Sequence, residues 1–277
     1  MFKETHKNGL VYMTAPHIKT IHAFTTRLGG VSKGIFESLN LGLHRGDREE
    51  DVRENYRRLC MALRLSETFV FPKQIHGTNI LLAGESDRRT PFETVPYEAD
   101  GLITDTPSLP LIVFNADCLP ILFYDPVRGA VGAVHAGWRG TVGDIAGKAV
   151  LKLHHSFGCC PENIRAAIGP GIGPCCFETG SEVPEALIAA LGSEAGAFIR
   201  EKGSEKFMVD LPGANRVLLL RAGLLPENLA VLHECTACNH DKYWSHRHTG
   251  GERGNQAAVI MLERRAGICT EKLHLLS

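Results

Sequence analysis

The chain has 277 residues, of which 44% are hydrophobic and 22% are charged, and this ordinary globular composition excludes a disordered or collagen-like protein. Lys and Arg number 30 against 31 for Asp and Glu, so the net charge is −1 and nucleic acid is not the expected partner. No apolar run approaches the ~18 residues of a membrane helix, so no membrane association is expected, and the polar segment MFKETHKNGL does not resemble a secretory signal.

The nine cysteines indicate thiols that are kept reduced, because their number is odd and two pairs are adjacent in the chain. The expected location is therefore cytoplasmic. Most of the cysteines are expected to be small buried hydrophobes, with one or two taking part in chemistry. A monomer is the default expectation.

Hydrophobic spacing predicts alternating helices and strands. A Gly-, Ser- and Asn-rich loop over 24–46 precedes a helix over 49–65, which Asp47 is expected to cap, and a polar loop covers 84–98. Short apolar runs then predict strands, and helical periodicity predicts three more helices. The predicted strands are 111–115, 119–125, 130–136, 164–169, 229–233 and 257–264, and the helices are 142–157, 183–191 and 211–224, the last capped by Asp210.

No internal repeat, low-complexity tract or Pro/Gly/Ser-rich linker divides the chain. We therefore predict one domain over residues 1–277, of the α+β class, in which a mixed β-sheet is layered with helices.

Three reactive side chains stand at the ends of apolar runs: His76 in FPKQIHGTNI, Cys118 in LIVFNADCLPILFYDP and His135 in AVGAVHAGWRG. A lone histidine or cysteine is more often structural, but their joint occurrence beside glycines favours a site. Two imidazoles and one thiolate with an open fourth position are typical of catalytic zinc, and the same ligands suit copper. Alternatively, Cys118 is a nucleophile and His135 its base, a scheme that does not need His76.

Seven segments, in order along the chain, carry a family resemblance; they are HAFTTRLGGVSKGIFESLNLG, KQIHG, ADGLIT, NADCLPILFYDP, GAVHAGWRG, IGPGIGPCCFETG and CTACNHDKYWSHR. The chain resembles, over about 22–262, the bacterial multi-copper polyphenol oxidoreductases or laccase-like proteins, also called peptidoglycan editing factors. The resemblance implies an αβ mixed-sheet fold, a cytoplasmic location and a zinc ion held by His76, Cys118 and His135.

The resemblance also implies an activity on purine nucleosides. Adenosine, inosine and methylthioadenosine would react with phosphate to give the base and ribose 1-phosphate, and adenosine would also be deaminated. Phosphorolysis needs an anion site, for which Arg27 and Arg139 are candidates, since a guanidinium matches phosphate geometry. Gly140 is expected to precede a helix whose N-terminus favours anions. Either arginine could instead form a structural ion pair.

Further candidates surround these residues in the sequence. Asp117, next to Cys118, is a candidate for proton transfer. Asn40 and Gln74 are candidates for orienting the ribose or the base, or else for capping loops. Near the C-terminus the family often shows SYRR-x-G-x-TGR, whereas this chain reads SHRHTGGERGNQ. Arg247 matches the first of those arginines and is a candidate for substrate binding, while His248 replaces the second.

Three other functions stay open beside the purine nucleoside enzyme: a copper-dependent polyphenol oxidase, a Cys-His amidase or hydrolase acting on peptidoglycan precursors, and a zinc-stabilised scaffold. Only one H-x-H pair, His246 and His248, occurs among thirteen histidines, which argues against a multi-copper architecture. The one CxxC, Cys235 to Cys238, lacks the spacing of a zinc finger or a nucleobase deaminase. We interpret it mainly as packing, with a second metal site as the lesser alternative.

Overall fold

A computed structural model describes residues 1–264 of the chain. Within that range the backbone forms fourteen β-strands and six α-helices. The strands are β1 (Lys3–Lys7), β2 (Leu10–Thr14), β3 (Ile21–Thr25), β4 (Ile80–Leu82), β5 (Gly101–Thr104), β6 (Leu111–Asn115), β7 (Leu119–Asp125), β8 (Ala130–Ala136), β9 (Arg165–Ile168), β10 (Glu178–Thr179), β11 (Ile199–Gly203), β12 (Lys206–Val209), β13 (Leu229–Val231) and β14 (Gln256–Met261). The helices are α1 (Glu49–Leu63), α2 (Trp138–Val142), α3 (Ile145–Phe157), α4 (Glu182–Leu191), α5 (Leu211–Arg221) and α6 (His246–Thr249).

The strands form two large sheets and one small sheet. The five-stranded sheet is antiparallel throughout, with the order β1-β2-β3-β14-β6. The six-stranded sheet has the order β13-β9-β7-β8-β5-β4, and it is mixed because its two outermost pairs are parallel. The small sheet has the order β10-β12-β11. The α+β class with mixed sheets and helices is thereby confirmed.

The two large sheets pack face to face, and helices cover their outer faces. Successive residues of β7 point to opposite sides, so Leu122 lies in the core between the sheets while Phe123 faces the core beneath α3 and α5. In β14, Ala258 packs between the sheets while Val259 packs against α1. The layers are therefore α1, the five-stranded sheet, the six-stranded sheet, and then α3, α4 and α5.

The fully buried strands agree best with the predictions. β6, β7 and β8 cover the predicted residues, whereas β9, β13 and β14 are shorter than predicted. The strands before residue 30, the short β4 and β5, and the small sheet were not predicted. β1 reads KETHK and is largely exposed, so it shows no apolar alternation.

The helix predictions need two corrections. Asp47 does not cap α1, because its carboxylate accepts hydrogen bonds from Ser32 and Asn40, and no side chain caps that helix. The predicted helix 142–157 corresponds to α3, which begins three residues later than predicted, because Asp144 adopts a left-handed conformation (φ +53°) that separates α3 from the short α2. Asp210 caps α5 as predicted, accepting from the Gly213 N–H at 2.9 Å. Among the described helices, none is both long and apolar enough to cross a membrane.

Candidate metal centre and adjoining pocket

The antiparallel register of the six-stranded sheet places two of the three predicted ligands side by side. β7 and β8 pair so that Pro120 lies opposite His135, and Cys118 precedes Pro120 by two residues. Two distant segments of sequence therefore meet at the edge where β8 ends and β7 begins. On the other side of β8, the His135 N–H donates to the Asp100 carbonyl at 2.7 Å, just before β5 begins.

The third ligand reaches the same edge on a loop that Asp100 holds. The Asp100 carboxylate accepts hydrogen bonds from the backbone N–H groups of Ile75, His76 and Gly77, at 3.2, 3.0 and 2.6 Å. His76 itself adopts a left-handed conformation (φ +61°), which a non-glycine residue takes up only when its surroundings enforce it. The loop is thus bent around a buried carboxylate so that the imidazole projects toward Cys118.

The donor atoms of His76, Cys118 and His135 lie within 4.8 Å of one another. The two imidazole rings are nearly perpendicular, with centroids 4.9 Å apart. Gly137 closes the cradle: a Cβ there would lie 3.1 Å from the Cys118 Sγ and 3.3 Å from the His76 Cδ2. The sequence HAGW therefore needs its glycine so that the three side chains can approach each other.

Asp100 also sets the orientation of His135. Its Oδ1 lies 2.9 Å from the His135 Nδ1, so Nδ1 carries a proton and donates it to Asp100. Nε2 is then the ring nitrogen that faces the centre and could bind a metal. Burial alone would lower the pKa of His135, but the charge of Cys118 and the bond to Asp100 raise it to about 9. Burial likewise would raise the pKa of Cys118, yet the charge of His135 and hydrogen bonds from both histidines lower it to about 6.

This donor set fits a divalent transition metal. The set becomes two neutral imidazoles and one thiolate once His135 gives up its Nε2 proton, and His76 and Cys118 open onto a pocket that leaves a fourth position accessible. A carboxylate behind a ligating histidine is the usual supporting arrangement in such sites. The same donors suit zinc and copper.

The adjoining pocket has a volume of about 460 Å³. Aromatic rings from Phe114, Trp138 and Phe177 line it. The Asn115 side chain also faces it: its Nδ2 donates to the Cys118 and Pro170 carbonyls, while its buried Oδ1 has no hydrogen-bond partner within residues 1–264. The pocket therefore has flat apolar walls, which are typical of a site for a small aromatic ligand.

Two arginines give the pocket a positive end. Both Arg45 and Arg253 line it. Burial, and to a lesser extent the charge of Arg45, lower the pKa of Arg253 to about 10. Arg253 donates through Nη1 to Gly254 and Asn255, but its buried Nε has no partner among the described residues. Two neighbouring guanidiniums favour an anion.

The predicted anion site at Arg27 and Arg139 is wrong in position, because neither residue lines this pocket. The Arg27 guanidinium lies 3.9 Å above the Trp244 ring and donates to backbone carbonyls. Arg139 is exposed and lies over Trp138 at 4.3 Å. Gly140 does not precede a helix but sits inside the five-residue α2, and the N-terminus of α3 is already capped by an aspartate side chain.

Asn40 and Gln74 were predicted either to orient the substrate or to cap loops, and in the structure both hydrogen-bond to the backbone of loops and strand ends. Asn40 is fully buried and away from the pocket; its Oδ1 accepts from the Gly42 and Asn255 N–H groups, and its Nδ2 donates to Asp47. Gln74 does line the pocket, but both ends of its amide bond the Phe114 backbone, at 2.7 and 2.8 Å. These bonds give both amides a role in holding the backbone.

Asp117 and Arg247 line the pocket, and their hydrogen bonds connect the segments that form its wall. The Asp117 carboxylate accepts from the Thr236 hydroxyl and from the Arg247 N–H, both at 2.6 Å, so the proton-transfer role predicted for it conflicts with these two bonds. The Arg247 guanidinium donates to the carbonyls of Cys176 and Glu178. His248 of the H-x-H pair stacks on His240, and it belongs to neither of the potential metal groups of the described chain.

The sequence analysis missed four residues that the structure places at the site: Asp100, Asn115, Arg45 and Arg253. Asp100 and Asn115 lie in the segments ADGLIT and NADC, which were singled out for other residues. A buried acid directly before a strand was a usable signal for Asp100. Nothing local distinguishes Arg45 and Arg253 from the other surface arginines.

The fold and the site define a class of layered α+β protein with a His-Cys-His centre beside an aromatic pocket with a cationic end. A family model described as multi-copper polyphenol oxidoreductase laccase matches residues 21–263, and the chain belongs to that family.

Named relatives cover nearly the whole chain. The purine nucleoside phosphorylase YlmD of Geobacillus stearothermophilus is 39% identical over 264 residues, which is 94% of this chain and 96% of that protein. The purine nucleoside phosphorylase YfiH of Escherichia coli is 37% identical, over 86% and 92% of the two chains. The crystal structure of YlmD from Geobacillus stearothermophilus superimposes with a TM-score of 0.90 at 38% identity, over 95% of this chain and 99% of that one.

Proposed function

We propose that this protein is a purine nucleoside phosphorylase, which cleaves adenosine, inosine and methylthioadenosine with phosphate to give the base and ribose 1-phosphate. The observation that carries the proposal is the pocket that joins aromatic walls to a pair of neighbouring guanidiniums. Such a pocket matches a substrate pair of one flat base and one phosphate. Two named phosphorylases that are 37–39% identical to the chain support it.

In this proposal Arg45 and Arg253 bind phosphate. The two guanidiniums line the same pocket and together compensate the charge of the anion. Because the side chain of Arg253 is half-buried, water screens this attraction less than it would at the surface.

The nucleoside base lies among Phe114, Trp138 and Phe177, where stacking holds its plane. These contacts leave the sugar between the base and the phosphate, as attack on the anomeric carbon requires.

The proposal includes a second reaction, the deamination of adenosine. His76, Cys118 and His135 would hold zinc, which when bound supplies a Lewis acid and lowers the pKa of water to near neutrality. Asp100 keeps the His135 Nε2 directed at the centre, and the wall that Asp117 and Arg247 fasten limits access of bulk water.

The alternatives have less support. A Cys-His hydrolase would use only Cys118 and His135, and gives no role to the bent loop that presents His76. A multi-copper oxidase needs many imidazoles, whereas the His-Cys-His group has two. The named relatives above are phosphorylases and not amidases.

The test measures inosine phosphorolysis and adenosine deamination in wild type, His76→Ala, Cys118→Ala, and protein stripped of metal by a chelator. We expect chelation to abolish deamination and added zinc to restore it, and we expect both variants to lose it. No covalent intermediate should accumulate on Cys118. Full deamination by metal-free protein, with little effect of His76→Ala, would instead support the cysteine hydrolase.

A cytoplasmic location and a monomeric state stay part of the proposal. Reduced cysteines in fresh cell extracts and a single 30-kDa species in sedimentation equilibrium are the expected results. A larger species at working concentration would contradict the monomer.

A further inference from the structure

A group of four cysteines lies outside the centre described above. Two come from the loop between β9 and β10 and two from the loop that follows β13, and all four sulfur atoms lie within 4.8 Å of one another. This four-cysteine cluster consists of Cys175, Cys176, Cys235 and Cys238. Two of its sulfur pairs, Cys175–Cys238 and Cys176–Cys238, are 3.4 Å apart.

Backbone turns aim the sulfurs at a common point. In the first loop the N–H groups of Cys176 and Phe177 both donate to the Gly173 carbonyl, which curls the chain so that adjacent cysteines face the same way. In the second, the Asn239 N–H and side chain both donate to the Cys235 carbonyl. The spacing of Cys235 and Cys238 is the C-x-x-C of zinc-binding turns.

The first loop also supports the cluster electrostatically. The Gly173 N–H donates to the Cys235 Sγ at 3.2 Å, an N–H···S contact that stabilises a thiolate. A Cβ at Gly173 would lie 3.2 Å from the Cys235 Cβ and 3.4 Å from the Cys175 Sγ, so the two loops approach as closely as glycine allows.

The sulfur spacing matches one metal ion. Four thiolates around a tetrahedral zinc at ~2.3 Å would lie about 3.8 Å apart, within the limits observed here, whereas a disulfide needs about 2.05 Å. All eight described cysteines are free. We propose that the four-cysteine cluster binds a single structural zinc ion, which is separate from the His-Cys-His centre and whose binding releases the thiol protons to solvent.

The zinc ion of the four-cysteine cluster would hold one wall of the pocket in place. Phe177, which lines the pocket, directly follows the cluster, and the Cys176 carbonyl accepts from Arg247 at 2.7 Å. On the second loop, Thr236 lies next to Cys235 and donates to Asp117. A zinc ion that joins the two loops would therefore hold both an aromatic wall and the support of Asp117.

The first experiment measures tightly bound zinc by elemental analysis after gel filtration. Relative to wild type, the double variant Cys175→Ser/Cys238→Ser should lose about one zinc per chain, and the matched control Cys160→Ser, an exposed cysteine outside the cluster, should lose none. His76→Ala should keep this zinc, so the result does not depend on the proposed phosphorylase activity. After cobalt substitution, His76→Ala should show the intense thiolate-to-cobalt absorption, and the double variant should not.

A second measurement uses the wild-type chain and does not depend on whether a variant folds. Brief alkylation followed by peptide mass mapping should modify the exposed Cys160 rapidly. It should modify the equally exposed Cys175 and Cys238 only after a chelator is added, with at least a tenfold difference in rate. Equal rates without chelator, a disulfide within the cluster, bound iron in place of zinc, or unchanged zinc in the double variant would overturn the proposal.

Discussion

A single buried carboxylate, that of Asp100, organises the candidate metal centre. It accepts three backbone N–H groups from the His76 loop and the Nδ1 proton of His135, and the residue is fully buried. Burial would raise the pKa of Asp100, but the bonds from His135 and the backbone lower it below its ordinary value. The charged carboxylate therefore positions two of the three candidate metal ligands.

Asp100→Asn should weaken metal binding by about 10- to 100-fold, because the amide supplies a donor where His135 also presents one. Competition with a chromogenic zinc chelator gives the affinity. The control is Asp105→Asn, an exposed residue of the same type a few positions along the chain. Unchanged affinity in Asp100→Asn would show that the histidine keeps its orientation without the charge.

Arg253→Ala should raise the KM for phosphate about 10- to 100-fold, because a hydrogen bond to a charged group contributes about 1.5–3 kcal/mol. The KM for the nucleoside should change much less. Arg139→Ala, which removes an exposed guanidinium outside the pocket, serves as the control and should leave the KM for phosphate unchanged. The opposite pattern in steady-state kinetics would restore the site first predicted at Arg139.

Individual residues were predictable where a motif surrounds them. His76, Cys118 and His135 each lie at the end of an apolar run, which predicts that they share a site. Their donor atoms do lie within 4.8 Å of one another. Arg45 and Arg253 lie in polar loops far apart in the chain, and only the tertiary fold aligns them. Arg27 also lies in a glycine-rich segment, but its guanidinium stacks on Trp244. Because Trp244 is far from Arg27 in the sequence, this contact could not be predicted.

At the scale of the elements, the N-termini of the helices differ in whether a side chain caps them. Asp210 accepts from the Gly213 N–H at the start of α5, which contributes Leu211 to the pocket. α4 begins after Ser181, whose hydroxyl makes no such bond. Two residues of good capping type thus stand at helix starts, but only one of them caps.

Asp210→Ala should lower the free energy of unfolding by about 1 kcal/mol, the usual contribution of an N-terminal cap. Ser181→Ala is the matched control and should change it by less than about half of that. Urea unfolding followed by circular dichroism measures both. Equal losses in the two variants would contradict the difference in capping.

Elements were predictable to the extent that they are buried. β6, β7 and β8 are continuous apolar runs and were found with the right bounds. β1 is polar and exposed, β10 has only two residues, and β11 reads IREKG, so periodicity gives no signal for them. The break between α2 and α3 depends on a left-handed aspartate that helical spacing does not reveal.

At the scale of the whole molecule, the two large sheets share one core. Side chains from β6 and β14 of one sheet pack against those of β7 and β8 of the other, so the facing sides of the two sheets form a single apolar layer. The sequence predicts one domain because no Pro/Gly/Ser-rich linker divides the chain. That prediction, over residues 1–277, extends past the described residues.

Leu122→Ala should lower the free energy of unfolding by about 2–5 kcal/mol, since Leu122 is fully buried between the sheets and its loss leaves a cavity. Unfolding should stay a single transition by both fluorescence and circular dichroism. Leu151→Ala, at an exposed position of α3, should have little effect. Two separate transitions would mean that the sheets unfold independently.

The position of β14 has a consequence for how the protein is made. This strand, near the end of the described chain, lies between β3 and β6 and pairs with both. During translation the first three strands must wait until β14 has been made before their sheet can close, because the ribosome adds only about 5–20 residues each second. At that rate the roughly 230 residues between β3 and β14 take about 10–50 s to add, and during that time the exposed edge of β3 is an aggregation risk against which chaperones would be expected to act.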